Sequence, residues 1–380
     1  MQRVKIFGAG SIGNHLAHAS RRLGWEVVVC DVDPRALTRM RDQIYPQRYG
    51  AWDDGITLCH NKDAPQGGFD LIAIGTPPDS HLPLALTALH EEPRAILIEK
   101  PLCPPSLEHA QEVYDAASES HTHVFVGYDH VVGAASAAVE ELLRTNVVGE
   151  IVTLDVEFRE HWGGIFAAHF WLGGPQDSYL GSWRAGGGAS GEHSHALNLW
   201  QHFAHVLGAG RVREVSALLH YVEAGGHEYD DQCFIQLRTD NGFTGRVVQD
   251  VVTKPHSKRA RLQGTNGAVE WVVGYNTAGD AVLILRPGVQ TEILQIPKKR
   301  PDDFVRELEH IRDAVTSGHN ESPITLERGL ETMLVVAGVH LSEQMGSVVT
   351  IDYSKGFLPT ALITNDHEPL PMGNINEPGV

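Results

Sequence analysis

The sequence predicts an α/β N-terminal domain, in which helices cover a parallel sheet, and an α+β C-terminal domain with a large, mostly antiparallel open sheet. Three observations predict it. At 380 residues the chain exceeds the ~100–200 of one typical domain. From residue 3 to about 130, short β-branched runs alternate with helical periodicity. Beyond about residue 150, strand-like runs follow one another through short turns. The expected divisions are 1–130, 131–363 and a tail over 364–380.

In the first part the runs Arg3–Phe7, Glu26–Cys30, Ile56–Cys59, Asp70–Ile74, Ala95–Ile98 and His123–Val126 are apolar and β-branched enough to be strands. Helical spacing lies between them, at Ile12–Leu23, Pro34–Ile44, Leu82–His90 and Ser106–Ala117. A helix over Ala134–Leu143 leads into the second part. There the expected strands are Ile151–Phe158, Val212–Val222, Gln232–Leu237, Gly245–Val252, Ala260–Gln263, Val269–Val273, Ala281–Leu285 and Thr291–Ile296. Helices over Asp303–Thr316 and Leu326–Gln344 close it. From Thr364 on, Pro369, Pro371 and Pro378 stand among polar residues without periodicity, which predicts an arm or a disordered end.

Composition narrows the function classes. Apolar residues are 42% and charged residues 21%, the balance of a folded globular chain. A net charge of −18, with no basic block to offset it, argues against nucleic acid and anionic membranes as partners. The first apolar run is broken by Gly8, Gly10 and Gly13, and no run approaches the ~18 residues of a membrane span, so a cytoplasmic protein is expected. Cys30, Cys59, Cys103 and Cys233 lack paired spacing and are expected as free thiols.

Gly8-Ala9-Gly10-Ser11-Ile12-Gly13 follows the first strand and opens the first helix. The first glycine permits the tight turn, the second lets a pyrophosphate approach the backbone, and the third lets helix and strand pack closely. The amides at the helix start, from Ser11 and Ile12 on, face the phosphates with the positive end of the helix dipole. Asp31 ends the second strand, at the distance expected of an acid that binds the ribose hydroxyls. This predicts a Rossmann dinucleotide-binding domain. Asp31 would repel a 2′-phosphate, so NAD is expected over NADP, although Arg35 lies one turn away and could reach a phosphate.

Three further motifs stand at strand ends: Ala73-Ile74-Gly75-Thr76-Pro77-Pro78-Asp79-Ser80-His81, Glu99-Lys100-Pro101 and Gly127-Tyr128-Asp129. With the glycine fingerprint and a Gly-rich run leading into a histidine helix, the chain up to about Asp352 resembles the glucose-fructose oxidoreductase, inositol dehydrogenase and rhizopine-catabolism (Gfo/Idh/MocA) family. The resemblance implies that Thr76, Pro77, His81, Glu99 and Lys100 border the cofactor, and that the Lys100–Pro101 peptide is cis. It also implies that Lys100 hydrogen-bonds the substrate hydroxyl and stabilises negative charge there, a role a lysine beyond a strand's carboxyl end can fill.

In the family a helix start carries an Asp four residues before a His. Here His195 matches the histidine, but Gly191 occupies the Asp position. Either Glu192 or His193 substitutes for it, or His195 works without a carboxylate. Imidazole suits general acid–base work near neutral pH, so His195 is the expected proton acceptor beside Lys100. His193, His195 and Glu192 lack the further ligands a zinc site needs, and no metal is expected.

Phe158, Trp162, Phe166, Phe170, Trp171, Tyr179 and Trp183 crowd a Gly-rich stretch upstream of that helix. Such a loop could stack on a sugar ring or lie at a subunit interface. Asp129, Arg159, His161, Trp183, Arg184 and Glu192 are the expected substrate-binding residues around Lys100 and His195. The predicted function is NAD-dependent hydride transfer with a secondary alcohol of a sugar, sugar derivative or cyclitol. An NAD-dependent glycosidase working by transient oxidation, or a non-catalytic sugar and dinucleotide sensor, are the alternatives. A homodimer or homotetramer is expected, because the open sheet has a face to cover.

Overall fold

A computed structural model describes residues 1–317 and 321–364, so the expected tail lies outside the described residues from position 365 on. The N-terminal sheet has six parallel strands: β1 (Arg3–Phe7), β2 (Glu26–Asp31), β3 (Ile56–His60), β4 (Leu71–Ile74), β5 (Ala95–Ile98) and β6 (His123–Val126). Their spatial order is β3-β2-β1-β4-β5-β6. The order therefore reverses between β1 and β4, and open α/β sheets bind ligands at that reversal. Strands β4 and β5 read Leu-Ile-Ala-Ile and Ala-Ile-Leu-Ile and are wholly buried, as strands covered on both faces must be. Each large apolar side chain buried there contributes ~1.5–3 kcal/mol.

The helices of this half are α1 (Ser11–Arg22), α2 (Pro34–Arg39), α3 (Tyr45–Tyr49), α4 (His81–Leu89) and α5 (Ala110–Glu119). Two differ from the sequence reading. The helix expected over 34–44 stops at Arg39, passes through a π turn over Met40–Ile44 and resumes as α3. Pro46 has no N–H to donate into the preceding turn, and the wider turn accommodates this. The helix expected from Ser106 begins only at Ala110, because Leu107 and His109 hold positive φ angles of 58° and 62°.

The chain then forms α6 (Ala134–Arg144), strand β7 (Ile151–Arg159), and the short helices α7 (Trp162–Ala167) and α8 (Gly188–Glu192), followed by α9 (Ser194–Val206). Strands β8 (Val212–Ala224), β9 (His227–Thr239), β10 (Thr244–Asp250), β11 (Ser257–Gly264), β12 (Gly267–Asn276), β13 (Gly279–Leu285) and β14 (Glu292–Pro297) come next. Helices α10 (Asp302–Ser317) and α11 (Leu326–Met345), and strands β15 (Val349–Ile351) and β16 (Leu362–Thr364), complete the described chain.

The ten strands from β7 onward form one sheet, in the order β14-β13-β12-β11-β7-β10-β9-β8-β15-β16. Only β7 and β10 pair in parallel; the other pairs given register are antiparallel. Strands β15 and β16 have three residues each, too few to show an alternating pattern in sequence. Helix α9 lies on β7 and α11 on β8. Helix α11 is capped by Thr325, whose side chain accepts from the Arg328 amide, and ends on Gly346 in the left-handed conformation. The opposite face leaves Leu218 and Phe234, cross-strand partners on β8 and β9, 66% and 41% exposed. No helix among the described residues is long and apolar enough to cross a membrane, and the four cysteines are free.

Candidate active site

The glycine loop between β1 and α1 has the shape its spacing requires. Gly8 has φ of 102°, and a Cβ there would come within 2.5 Å of the Gly75 carbonyl oxygen. A Cβ on Gly13 would come within 1.9 Å of the Gly8 carbonyl oxygen. A Cβ on Gly10 would meet nothing within 4 Å. The outer two glycines are thus packed and the middle one faces open space, the arrangement a pyrophosphate needs. Asp31 ends β2 beside this loop: its carboxylate accepts from the Ala9 amide at 2.7 Å and the Asp33 amide at 2.8 Å. Arg35 is 90% exposed and paired with Asp33 on its own helix, leaving the acidic residue as the charged group at the loop. These residues fit a dinucleotide with a free ribose diol.

One contact of this loop has no signal in the sequence. Arg48, on α3, donates to the Ser11 hydroxyl at 2.8 Å and to the Ala168 carbonyl at 2.8 Å. It ties the fingerprint to the aromatic segment of the C-terminal half. Trp171 lies under Arg39, with 5.4 Å between guanidinium carbon and ring centre. That end of the aromatic segment therefore rests on the nucleotide-binding half.

Lys100 follows β5 and its peptide with Pro101 is cis. Its ammonium donates to the Glu192 carbonyl at 3.1 Å and meets the Glu192 carboxylate at 3.2 Å. The strand-end lysine is thus held by the segment that leads into α9. Glu99 points the other way, into the protein. A Cβ on Gly127 would come within 2.8 Å of its carboxylate, and burial, then the charge of Asp129, pushes its pKa up to about 8. Behind it, Glu307 of α10 is fully buried, with both carboxyl oxygens unpaired among the described residues; burial and then Glu99 hold its pKa well above the carboxylate range.

His195 lies in the first turn of α9. Its Nδ1 stands 3.8 Å from the Asp129 Oδ1, and each side chain is 14% exposed. The His195 ring is bounded by Tyr128 at 5.5 Å and His130 at 4.8 Å, both edge-on. Burial lowers the pKa of His195 well below the imidazole value, with His130 and Lys100 acting in the same direction, so the neutral ring is favoured. One ligand atom each from Asp129, His130 and His195 lies within 4.8 Å of the others. Of the residues the sequence reading weighed as metal ligands, His195 belongs to this set, while His193 is buried, its carbonyl taken by Gln249, and Glu192 is on Lys100.

Other expected residues are committed elsewhere. His81 is buried, with its ring nitrogens against the Thr76 carbonyl at 2.7 Å and the Pro101 carbonyl at 3.1 Å, so it braces two loops of the site from below. Thr76 accepts from the Ser80 hydroxyl at 2.7 Å, and Pro77 precedes a one-turn helix over Pro78–Ser80. Arg159 is paired with buried Asp250 at 2.5 Å. His161 caps α7 by accepting from the Gly163 amide. Trp183 donates to Glu228 at 2.8 Å and stacks on His340, and Arg184 meets the same Glu228 at 2.5 Å. Each of these side chains has a nearer partner in the fold, which the sequence alone does not reveal. A cavity of about 1010 Å³ lies farther along α9, lined by Asn198, Gln201, His205, Arg211 and Arg328 among others, and neither Lys100 nor His195 lines it.

Residues 2–128 match the family described as "Oxidoreductase family, NAD-binding Rossmann fold", and residues 136–270 match the "GFO/IDH/MocA C-terminal domain". No curated protein matches the chain. Among solved structures it is similar to an oxidoreductase from Agrobacterium radiobacter in complex with NAD+, L-tartaric acid and magnesium, with 20% identity, TM-score 0.72, and coverage of 92% of this chain and 98% of that one. It is similar to levoglucosan dehydrogenase in complex with NADH, with 19% identity, TM-score 0.73, and coverage of 92% and 98%. An inositol dehydrogenase homolog from Azotobacter vinelandii in complex with NAD+ gives 17% identity, TM-score 0.72, and coverage of 92% and 97%.

Proposed function

Because the chain belongs to the Gfo/Idh/MocA family and is an NAD-dependent oxidoreductase, we propose that its substrate is a secondary alcohol of a sugar, sugar derivative or cyclitol. The observation that carries this reading is the 3.2 Å contact of Lys100 with Glu192, three residues before His195. It brings an ammonium from a strand end of the nucleotide-binding half to the imidazole segment of the sheet-bearing half. The solved structures it resembles carry polyhydroxylated compounds in their own sites, levoglucosan and myo-inositol among them.

NAD, when bound, supplies the hydride acceptor. The fingerprint amides and Asp31 would hold it, and the open space over Gly10 would admit its pyrophosphate. Lys100 donates a hydrogen bond to the substrate oxygen and stabilises the negative charge that grows as the hydroxyl proton leaves. Glu192 fixes the direction of that ammonium. His195, kept neutral by its buried setting, takes the proton. We also propose a homodimer or homotetramer that covers the exposed sheet face around Leu218 and Phe234.

The test is NADH formation at 340 nm with NAD+ and a panel of myo-inositol, glucose, levoglucosan and L-tartrate, together with the reverse reaction on the matching ketones. Reduction of NAD+ by at least one polyol is expected. Substrate cleavage without NADH accumulation would favour a glycosidase, and binding without turnover a sensor.

A further inference from the structure

We propose that Asp129 is the positioning residue of the reaction: its carboxylate takes the Nδ1 hydrogen of His195, leaving Nε2 as the edge that accepts the substrate proton. This rests on the reading of His195 as the proton acceptor.

The argument begins with a space that is closed. A Cβ at Gly191 would lie 2.0 Å from the Gly186 carbonyl oxygen, so no side chain can occupy that position on this backbone. Position 191 therefore supplies no carboxylate to His195. Glu192 is committed to Lys100. Asp129 reaches His195 from the other half of the molecule, with Oδ1 at 3.8 Å from Nδ1. Both of those atoms are buried, and neither has a hydrogen-bond partner among the described residues. A buried polar atom without a partner is rare in folded proteins, and here two complementary ones face each other.

The two side chains are also aligned by what surrounds them. Asp129 opens a one-turn helix directly after β6, and the His195 ring is confined between Tyr128 and His130. At 3.8 Å the pair is longer than a hydrogen bond, and catalytic hydrogen bonds are commonly long until substrate is bound. Burial raises the Asp129 pKa, while Arg300, Lys298 and Lys100 pull it back toward ionisation. Glu99, Glu307 and Asp303 oppose that ionisation from the buried side. Around His195, besides Asp129 and Tyr128, the charged and titratable neighbours include His130, His193, Lys100 and Lys258.

With His130, the same groups form a two-histidine, one-carboxylate set of the kind that binds transition metals. Each lysine near the set is already paired with a carboxylate, Lys100 with Glu192, Lys258 with Glu160 and Lys298 with Asp280, so the metal content of the purified protein separates the two readings.

The experiment is nitrogen-15 NMR of the histidine-labelled protein saturated with NAD+, with His195 assigned through H195Q. The expected result is an Nδ1–H tautomer for neutral His195 in the unaltered protein and an Nε2–H tautomer in D129N, whose amide donates to Nδ1 instead of accepting. With whichever polyol of the panel reduces NAD+, kcat of D129N is expected to fall ~10²–10⁴-fold, with NADH affinity and KM changed less than ~3-fold and partial recovery in D129E. An Nε2–H tautomer in the unaltered protein, the same tautomer in both, or one equivalent of transition metal in the purified protein overturns the proposal. If D129N fails to bind NADH, the tautomer of the unaltered protein decides alone. Full kcat in H195Q alongside an intact Nδ1–H signal would instead remove the proton-acceptor reading on which the proposal stands.

Discussion

Lys100 and Glu99 are chain neighbours with opposite environments, and each gives a prediction. Lys100 reaches across to Glu192, so K100M is expected to lower kcat/KM by ~10²–10³-fold while NADH binding, followed by fluorescence, is retained. An equal loss of NADH binding would make it a cofactor residue only. Glu99 faces inward, 5% exposed, with its pKa raised from 4.5 to about 8. The folded state then holds a proton that the unfolded state has released. The associated stability is complete below about 4.5 and is lost as pH rises through about 8. E99Q is expected to weaken this alkaline decline in melting temperature, measured from pH 4 to 9; parallel melting curves for both proteins would refute it. The placing of the glycine fingerprint, Lys100 and Asp31 at strand ends was legible in sequence because it depends on a few neighbouring residues. The pairing of Asp129 with His195 joins positions 66 apart in the chain, and neither residue carries a mark of the other.

The turn over α8 into α9 shows the same limit for an element. The family resemblance puts Gly191 where an aspartate is expected, but does not reveal that the Gly186 carbonyl fills the space. That contact depends on Gly186 and Gly188 both taking positive φ, at 90° and 75°, a conformation local propensity does not specify. G191D is therefore expected to lower the melting temperature and abolish turnover rather than strengthen the site. Unchanged stability would show that the turn can open. Behind the turn, buried Asp230 accepts from the Ser190 amide at 2.7 Å and its hydroxyl at 3.0 Å, fixing the segment that carries Glu192. The long strands and α11 were legible from their apolar pattern, whereas β15 and β16 were not, since three residues cannot display a period.

At the scale of the whole molecule, the parallel sheet followed by a large, mostly antiparallel one was legible from patterns spread over many residues, where single exceptions do little harm, whereas the order of the strands comes from the structure. The outer face of the ten-stranded sheet carries a prediction. L218D combined with F234D places two like charges on a cross-strand apolar pair and is expected to yield monomers by analytical ultracentrifugation, with NADH binding unchanged. Identical masses for the variant and the unaltered protein would place any subunit contact elsewhere. The contact between Lys100 and Glu192 has one more consequence. On the proposed mechanism neither half owns a finished set of reactive groups: one brings the ammonium, the other the imidazole. Readiness for chemistry is thus a property of their meeting, and a molecule whose halves stood apart would carry its coenzyme past bystander alcohols without reacting.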